Sequence, residues 1–218
     1  MSRLQPHVTT SPNFNPLQFA YRKHHSTETA PLNTLNHIYS AADNSQPTIL
    51  VSLDLSAAFD TIDHGILLSR LHSEFGVSGA ALEWIRSYLT GRSQRVTVGH
   101  SHSSYQSVSS GVPQGSVLGP LLFTCYISPA GHLINSFGIF HQQYADDMQL
   151  FIEMSSNAAA TAIHQLERCL SALHCWLCLN GLSLNPDKSE AIWLSTVQRS
   201  RSFTPATSIS IAGTFVSL

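Results

Sequence analysis

Three carboxylates stand where burial would penalise them. Asp54 interrupts the apolar, β-branched run "TILVSLDLS", and Asp146 with Asp147 lies between the apolar or aromatic arms of "FGIFHQQYADDMQLFIEM". An isolated ionised carboxylate in low dielectric is costly or shifts its pKa, so such groups are usually paired or hold a cation. Two like charges ~4 Å apart repel by roughly 4 kcal/mol at an effective dielectric of ~20. A divalent cation removes that repulsion, and all-oxygen ligands suit Mg²⁺ or Mn²⁺. The 12 histidines form no convergent set with cysteine that would favour zinc. Each acid also has an ordinary reading, Asp54 as a cap or turn residue and "ADD" as plain turn chemistry. Only the conjunction is unusual. Neighbours in a regular strand point to opposite faces, so the pair can serve one site only where the backbone bends, and a hairpin turn supplies that bend.

The elements that must carry these acids read as a mixture of helices and antiparallel strands. From Thr48 the run is apolar on both faces, as in a strand covered on both sides. Ile66, Leu67, Arg70, Leu71 and Phe75 recur at helical spacing, as do Leu82, Ile85, Tyr88 and Leu89 after "GVSG". "QRVTVG" alternates as a short strand, and "SGVPQGSVLGP" is a Gly/Pro loop leading into the apolar run Leu121 to Ile127. The acidic pair sits in a strand, turn, strand unit. Ile163, Leu166, Leu170, Leu173 and Leu177 mark a third helix, ending at Asn180-Gly181. "EAIWLS" and "SISIAGTFVSL" are the last strand candidates, and Asp63 is a natural N-cap for the helix after it. The predicted class is α+β, with the helices at 64 to 75, 80 to 90 and 157 to 179 on one face of the sheet.

Composition narrows the function. The chain has 218 residues, 43% of them apolar, which is enough for a packed core and argues against disorder. Only 11% are charged and the net charge is -2, so the total does not advertise a phosphate-binding protein. Four clustered cysteines do not make a secreted disulfide framework, so a reducing compartment is the default. Cys175 and Cys178 beside His174 form a CxxC, but the surrounding periodicity reads as a helix and no second ligand pair follows. The first sixteen residues, rich in Pro, Asn, Ser and Thr, read as a loop without an apolar leader. No run of ~18 apolar residues signals a membrane span. An intracellular location is expected, with nucleus or cytoplasm left open.

"LDLSAAFDTIDH", "SGVPQGSVLGPLLF", "YADD" and "LNGLSLNPDKSE" occur in the order and approximate spacing of a reverse transcriptase, and the chain resembles those of non-LTR (LINE-type) retrotransposons. "QFAYRKHHSTETA" resembles the segment that precedes the first catalytic strand in those elements. The resemblance implies a right-hand polymerase palm, with partial fingers leading into it over 1–47 and the palm over 48–218, truncated before a thumb. It implies RNA-directed DNA synthesis by two-metal nucleotidyl transfer, on an RNA template and a DNA primer with dNTPs. Asp54 matches the first metal-binding aspartate, Asp146 and Asp147 match the hairpin pair, and Leu55 would offer a backbone carbonyl. Two Mg²⁺ ions, or Mn²⁺ in their place, would activate the primer 3′-hydroxyl and bind the triphosphate.

Other residues follow by the same resemblance. Phe59 matches the aromatic gate that excludes a ribose 2′-hydroxyl; taken alone it reads as a core ring. Gln114 and Gly115 match the loop that touches nucleotide and template, Gly115 allowing close backbone approach, although a plain tight turn would look similar. Tyr144 corresponds to the hairpin aromatic near the primer end, or simply packs. Lys188 matches a lysine proposed to protonate departing pyrophosphate, and alone would be a solvated surface residue. Arg22 and Lys23, with His24 and His25, form the early basic cluster and suit phosphate contacts, or a solvated turn. Asp60 and Asp63 read as structural.

Fingers blocks, a thumb and further retrotransposon-encoded domains are expected outside this chain, so weak or no activity alone is anticipated. An RNA-dependent RNA polymerase or a group II intron maturase would use the same palm, but Phe59 argues against the former. The non-enzymatic alternative is a truncated or domesticated palm kept as an RNA-binding or interaction module.

Overall fold

The computed structural model describes residues 3–155, 158–196 and 207–218. In chain order the elements are α1 (Leu4–Thr9), α2 (Thr29–Asp43), β1 (Thr48–Ser56), α3 (His64–Ser73) and α4 (Gly79–Leu89). The short strands β2 (Arg92–Gln94), β3 (Thr97–Val98), β4 (Ser101–His102) and β5 (Gln106–Val108) follow, then α5 (Gly119–Ser136). The remainder is β6 (Phe140–Tyr144), β7 (Asp147–Glu153), α6 (Ala159–Leu179), β8 (Ser183–Leu194), β9 (Ser208–Ile211) and β10 (Thr214–Ser217). The class is α+β, as expected. Two compact units form, Met1–Phe14 with Ala57–Tyr126, and Asn15–Ser56 with Ile127–Leu218.

The second unit is built on a four-stranded antiparallel sheet in the order β6-β7-β1-β8. Alternation along the strands gives it two unlike faces. Ile49, Val51 and Leu53 of β1 lie opposite Ile152, Leu150 and Met148 of β7, and this face is almost wholly buried. Each such side chain removed from water contributes roughly 1.5–3 kcal/mol. The other face carries Ser52, Asp54, Asp147, Gln149 and Gln142, with Leu50, Phe140 and Phe151 farther from the hairpin turn. There α2 packs: Asn33 donates to Gln142 (2.6 Å), Thr34 donates to Gln149 (3.0 Å), and the His37 ring lies over Phe140 with centroids 3.5 Å apart.

No sequence pattern pointed to α2, and its burial explains why. It seats small residues, Ala30, Thr34 and Ala41, while Leu32, Leu35 and Tyr39 are exposed. The usual apolar stripe is thus inverted. The predicted helix over 157 to 179 is present as α6, with Leu166, Leu170, Leu173 and Leu177 fully buried. It ends in a Schellman turn: Gly181, at φ 67°, donates to Cys178, and Leu182 donates to Leu177. Cys175 and Cys178 are exposed on this helix.

Several expectations are corrected. Of the three helices placed on the sheet, α3 and α4 belong to the first unit and pack on each other, so only α6 shares a unit with it. The opening residues contain a short helix, α1, whose Val8 is fully buried. The apolar run Leu121 to Ile127, to which the sequence pattern assigns no element, is the centre of α5 and is buried throughout, so periodicity alone does not distinguish it from a strand. "QRVTVG" divides between β2 and β3, and "SISIAGTFVSL" is a hairpin. Ala212 and Gly213 turn it with φ of 50° and 83°, the left-handed pair of a type I′ turn.

In the first unit, Asp63 caps α3 by accepting from the Ile66 amide (2.8 Å). Leu67 and Leu71 of α3 and Ile85 and Leu89 of α4 are fully buried. The loop before α5 is seated on the segment after β1: Gly111 donates to the Ile62 carbonyl and Val112 to that of Phe59, both at 2.8 Å. A Cβ at Gly111, where φ is 81°, would stand 2.7 Å from the Asp60 carbonyl oxygen, whereas one at Gly115, φ 78°, would meet nothing within 4 Å. We therefore expect Gly111→Ala to lose on the order of 3 kcal/mol through conformation and clash together. Gly115→Ala should lose about 1 kcal/mol through conformation alone. Urea denaturation of the two variants measures the difference; equal losses would mean that the loop is not seated on Asp60.

Candidate active site

Strand register gathers the acids. The β1–β7 ladder ends with Leu53 opposite Met148, so the next residues, Asp54 and Asp147, emerge side by side on one face. Tyr144 pairs with Asp147 to close the hairpin, leaving Ala145 and Asp146 as its turn. Ala145 takes φ 56°, a left-handed conformation unfavourable for a residue with a Cβ. The Asp147 carboxyl is raised above the ordinary range, first by partial burial, then by the charge of Asp146, then by that of Asp54. Asp146 and Asp54 thus both act on Asp147, although Asp54 lies 93 positions before it.

The edge strand β8 bends beside them. Ser52 pairs with Glu190 and Asp54 with Asn185, so Pro186 to Ser189 form a bulge opposite Leu53 alone. The buried Ser189 hydroxyl ties this bulge, donating to the Asn185 carbonyl (2.8 Å) and accepting from the Asp54 amide (3.4 Å). Lys188 is exposed on the bulge, and Leu55 is buried opposite Leu184. Tyr144 is half-buried. With Thr27, Ala30, Pro31, Gln142, Asp147 and Gln149 it lines a cavity of about 170 Å³ at the start of α2.

Two residues at this site escaped the sequence reading. Tyr21, at φ 59° and 46% exposed, has its phenol pKa raised by burial first, then by Asp146 and Tyr144, so it lies within electrostatic reach of the hairpin turn. Gln18 is fully buried; its carboxamide accepts from the Ala145 amide (2.9 Å) and donates to the Ala145 carbonyl (3.0 Å). Both lie in "QFAYRKHHSTETA", where the basic cluster drew attention instead. Within that cluster Arg22 donates to the Pro16 carbonyl (2.7 Å), while Lys23 is exposed. The same segment is anchored by Asn15, which donates to Gln143 (2.6 Å) and meets His141 Nε2 at 3.1 Å. Burial, reinforced by His132, pushes His141 down to about 4, so it is neutral at physiological pH.

The other expected residues lie in the first unit. Phe59 is half-buried and stacks on the fully buried Phe123, with centroids 4.4 Å apart and planes 23° apart. Gln114 is exposed and donates to both carboxylate oxygens of Asp60, at 3.1 and 3.2 Å. Phe59 and Gln114 therefore belong to one hydrogen-bonded assembly, with Gly115 next to it in an open turn. Asp60 and Asp63 have the structural partners expected of them.

Hard carboxylate oxygens crowded at a solvent-facing turn fit a divalent cation in kind. Among the described residues no three His, Cys, Asp or Glu side chains form a ready-made metal cage. Mg²⁺ does not need one, since it commonly binds through one or two carboxylates and keeps waters or substrate phosphates as its other ligands.

Residues 1–207 match the family described as Reverse transcriptase (RNA-dependent DNA polymerase). The chain belongs to that family. It is 33% identical over 177 residues to a probable RNA-directed DNA polymerase from transposon BS of Drosophila melanogaster, covering 79% of this chain and 19% of that protein. The reverse transcriptase of mobile element jockey from the same species is 29% identical over 78% of this chain and 19% of its own length. The Pol polyprotein of type-1 retrotransposable element R2 from Popillia japonica is 26% identical over 68% of this chain and 25% of its own length. These relatives agree with the non-LTR resemblance. The chain spans about a fifth of the length of the first two.

Among solved structures, telomerase from Candida albicans, in a complex with a TWJ fragment of telomeric RNA, matches with a TM-score of 0.65 at 15% identity. The match covers 98% of this chain and 35% of that one. Apo telomerase from Candida tropicalis matches with the same TM-score at 11% identity, over 99% and 38%. The fold is thus that of a polymerase palm. Reverse transcriptases generally use divalent metal ions. No helix among the described residues is long and apolar enough to cross a membrane.

Crowding at Asp147 sets the sign of a pH effect. Its folded-state pKa is raised, so its contribution favours the fold below the unfolded value and is lost as pH rises through the folded one. At neutral pH Asp147 therefore costs stability. We expect Asp147→Asn to be more stable than wild type at about pH 7, by a few tenths of a kcal/mol given solvent screening. That advantage should shrink on acidification to about pH 3. Chemical denaturation across this range checks it, and an advantage that grows on acidification would contradict the crowding.

Proposed function

We propose that this reverse transcriptase chain is the nucleotidyl-transfer core of a retrotransposon RNA-directed DNA polymerase, working on an RNA template and a DNA primer with dNTPs. The observation that carries this reading is the emergence of Asp54 and Asp147 side by side at one end of the sheet, with Asp146 in the adjoining turn. In this reading Asp54, Asp146, Asp147 and the Leu55 carbonyl hold two Mg²⁺ ions, with Mn²⁺ as a substitute. When bound, such ions supply the charge neutralisation and the activation of the primer 3′-hydroxyl that phosphoryl transfer requires.

The remaining residues position substrates. Phe59, held by its stack on Phe123, closes the space beside the sugar and disfavours a ribose 2′-hydroxyl. Gln114 and Gly115 present an exposed loop to nucleotide and template, and Tyr144 supports the primer end. Lys188 donates a proton to the departing pyrophosphate, for which an exposed ammonium on the β8 bulge has the needed freedom. Lys23, with Arg22 beside it, contacts phosphate. In functional terms 1–47 serves as partial fingers and 48–218 as palm. A chain of net charge -2 supplies little phosphate attraction of its own, so extension should be slow and distributive.

Primer extension by the purified chain tests this. Wild type should add dNTPs to a DNA primer on an RNA template in Mg²⁺, with NTPs poorly used, and Asp146→Asn should reduce the rate by roughly 10²-fold or more. Extension retained in Asp146→Asn would mean that the metal site is misplaced. RNA binding with no extension by wild type would favour a non-catalytic module.

A further inference from the structure

The turn of the acidic hairpin is held from outside by the Gln18 side chain. In a two-residue turn the first turn residue points its amide and carbonyl away from the ladder, and here that residue, Ala145, is 7% exposed. Buried peptide groups without partners are costly. Gln18 satisfies both, its Oε1 accepting from the Ala145 amide and its Nε2 donating to the Ala145 carbonyl. The carboxamide therefore does what the peptide of an adjoining strand would do. The same Oε1 also accepts from the Ala20 amide (3.0 Å), which fixes the side chain to its own backbone.

The backbone around Gln18 reinforces the clamp. Phe19 donates to the Gln143 carbonyl (2.9 Å), and Gln143 donates to the Leu17 carbonyl (3.0 Å), so this segment runs beside β6 in a parallel bridge. Asn15 adds its contacts to His141 and Gln143. The held residue is the one with left-handed φ, adjacent to Asp146 and two before Asp147. Without an external grip, Ala145 would be free to relax its φ of 56°, and the directions of both following carboxylates depend on that angle.

We infer that Gln18 is a positioning residue, whose carboxamide holds the Ala145 peptide so that Asp146 and Asp147 face Asp54 in a geometry ready for a divalent cation. This rests on the metal-binding reading of the three acids. Gln18 touches no reacting group and acts only through the turn. Because both hydrogen bonds go to backbone, the identity of the side chain at position 145 is secondary to the amide at position 18. Glutamate at position 18 would keep an acceptor for the Ala145 amide but lose the donor to its carbonyl, and methionine would lose both at similar length.

Mn²⁺ binding to the full chain, followed by electron paramagnetic resonance, tests the inference, with thermal denaturation run alongside. Wild type should bind and Asp146→Asn should bind far more weakly; if they do not differ, the acid-site reading itself fails. Given that difference, Gln18→Met and Gln18→Glu should bind Mn²⁺ roughly tenfold more weakly below their melting temperatures. A purely structural role would lower the melting temperature and leave the affinity of the folded protein unchanged, which would overturn the inference while leaving the acid site intact. Should neither variant fold, hydrogen exchange on wild type decides: strong protection of the Ala145 amide supports the clamp, and free exchange overturns it.

Discussion

Like charge concentrated at the end of the β1–β7 ladder is the constraint around which the second unit is organised. A sheet whose other face buries Val51, Leu53, Met148 and Leu150 has a fixed register, because a slip by one residue would turn those side chains to solvent. The same register leaves Asp54 no choice of neighbour. Apolar burial on one face thus holds together, on the other, carboxylates that repel one another. Asp147 registers it: its pKa is raised first by partial burial and then by the charges of Asp146 and Asp54.

Holding the acids takes more than the sheet. Ser189 ties the β8 bulge to the Asp54 amide, and Gln18 grips the turn that carries the other two. These polar contacts are largely buried, where a satisfied hydrogen bond specifies geometry and an unsatisfied one is costly. On the open face α2 covers only part of the sheet, packing small residues and bonding to Gln142 and Gln149. Its first turn borders a cavity beside Tyr144 and Asp147, so the face keeps space next to its charges.

Much of this was legible in the sequence. The three acids were marked by charge set in apolar strands, the hairpin by its flanking arms, α6 by its leucine spacing, and the Asp63 cap and Asn180-Gly181 terminus by local chemistry. The parts that were not legible share a cause: they depend on tertiary partners. Gln18 is an ordinary polar residue until the Ala145 peptide appears beside it. Gly111 looks like any loop glycine, and only the nearby Asp60 backbone shows that close approach is required there rather than at Gly115. Helix α2 hides because close packing against the sheet selects small residues and leaves large ones exposed.

The central claim is that the fold presents Asp54 and the hairpin acids to a shared cation. The most direct measurement is a crystal structure of the chain soaked in Mn²⁺, read by anomalous scattering. The account predicts manganese within ~2.0–2.3 Å of an oxygen from Asp54 and one from Asp146 or Asp147. An ion bound elsewhere, or Asp54 turned to the opposite face of the sheet from the hairpin pair, would contradict it.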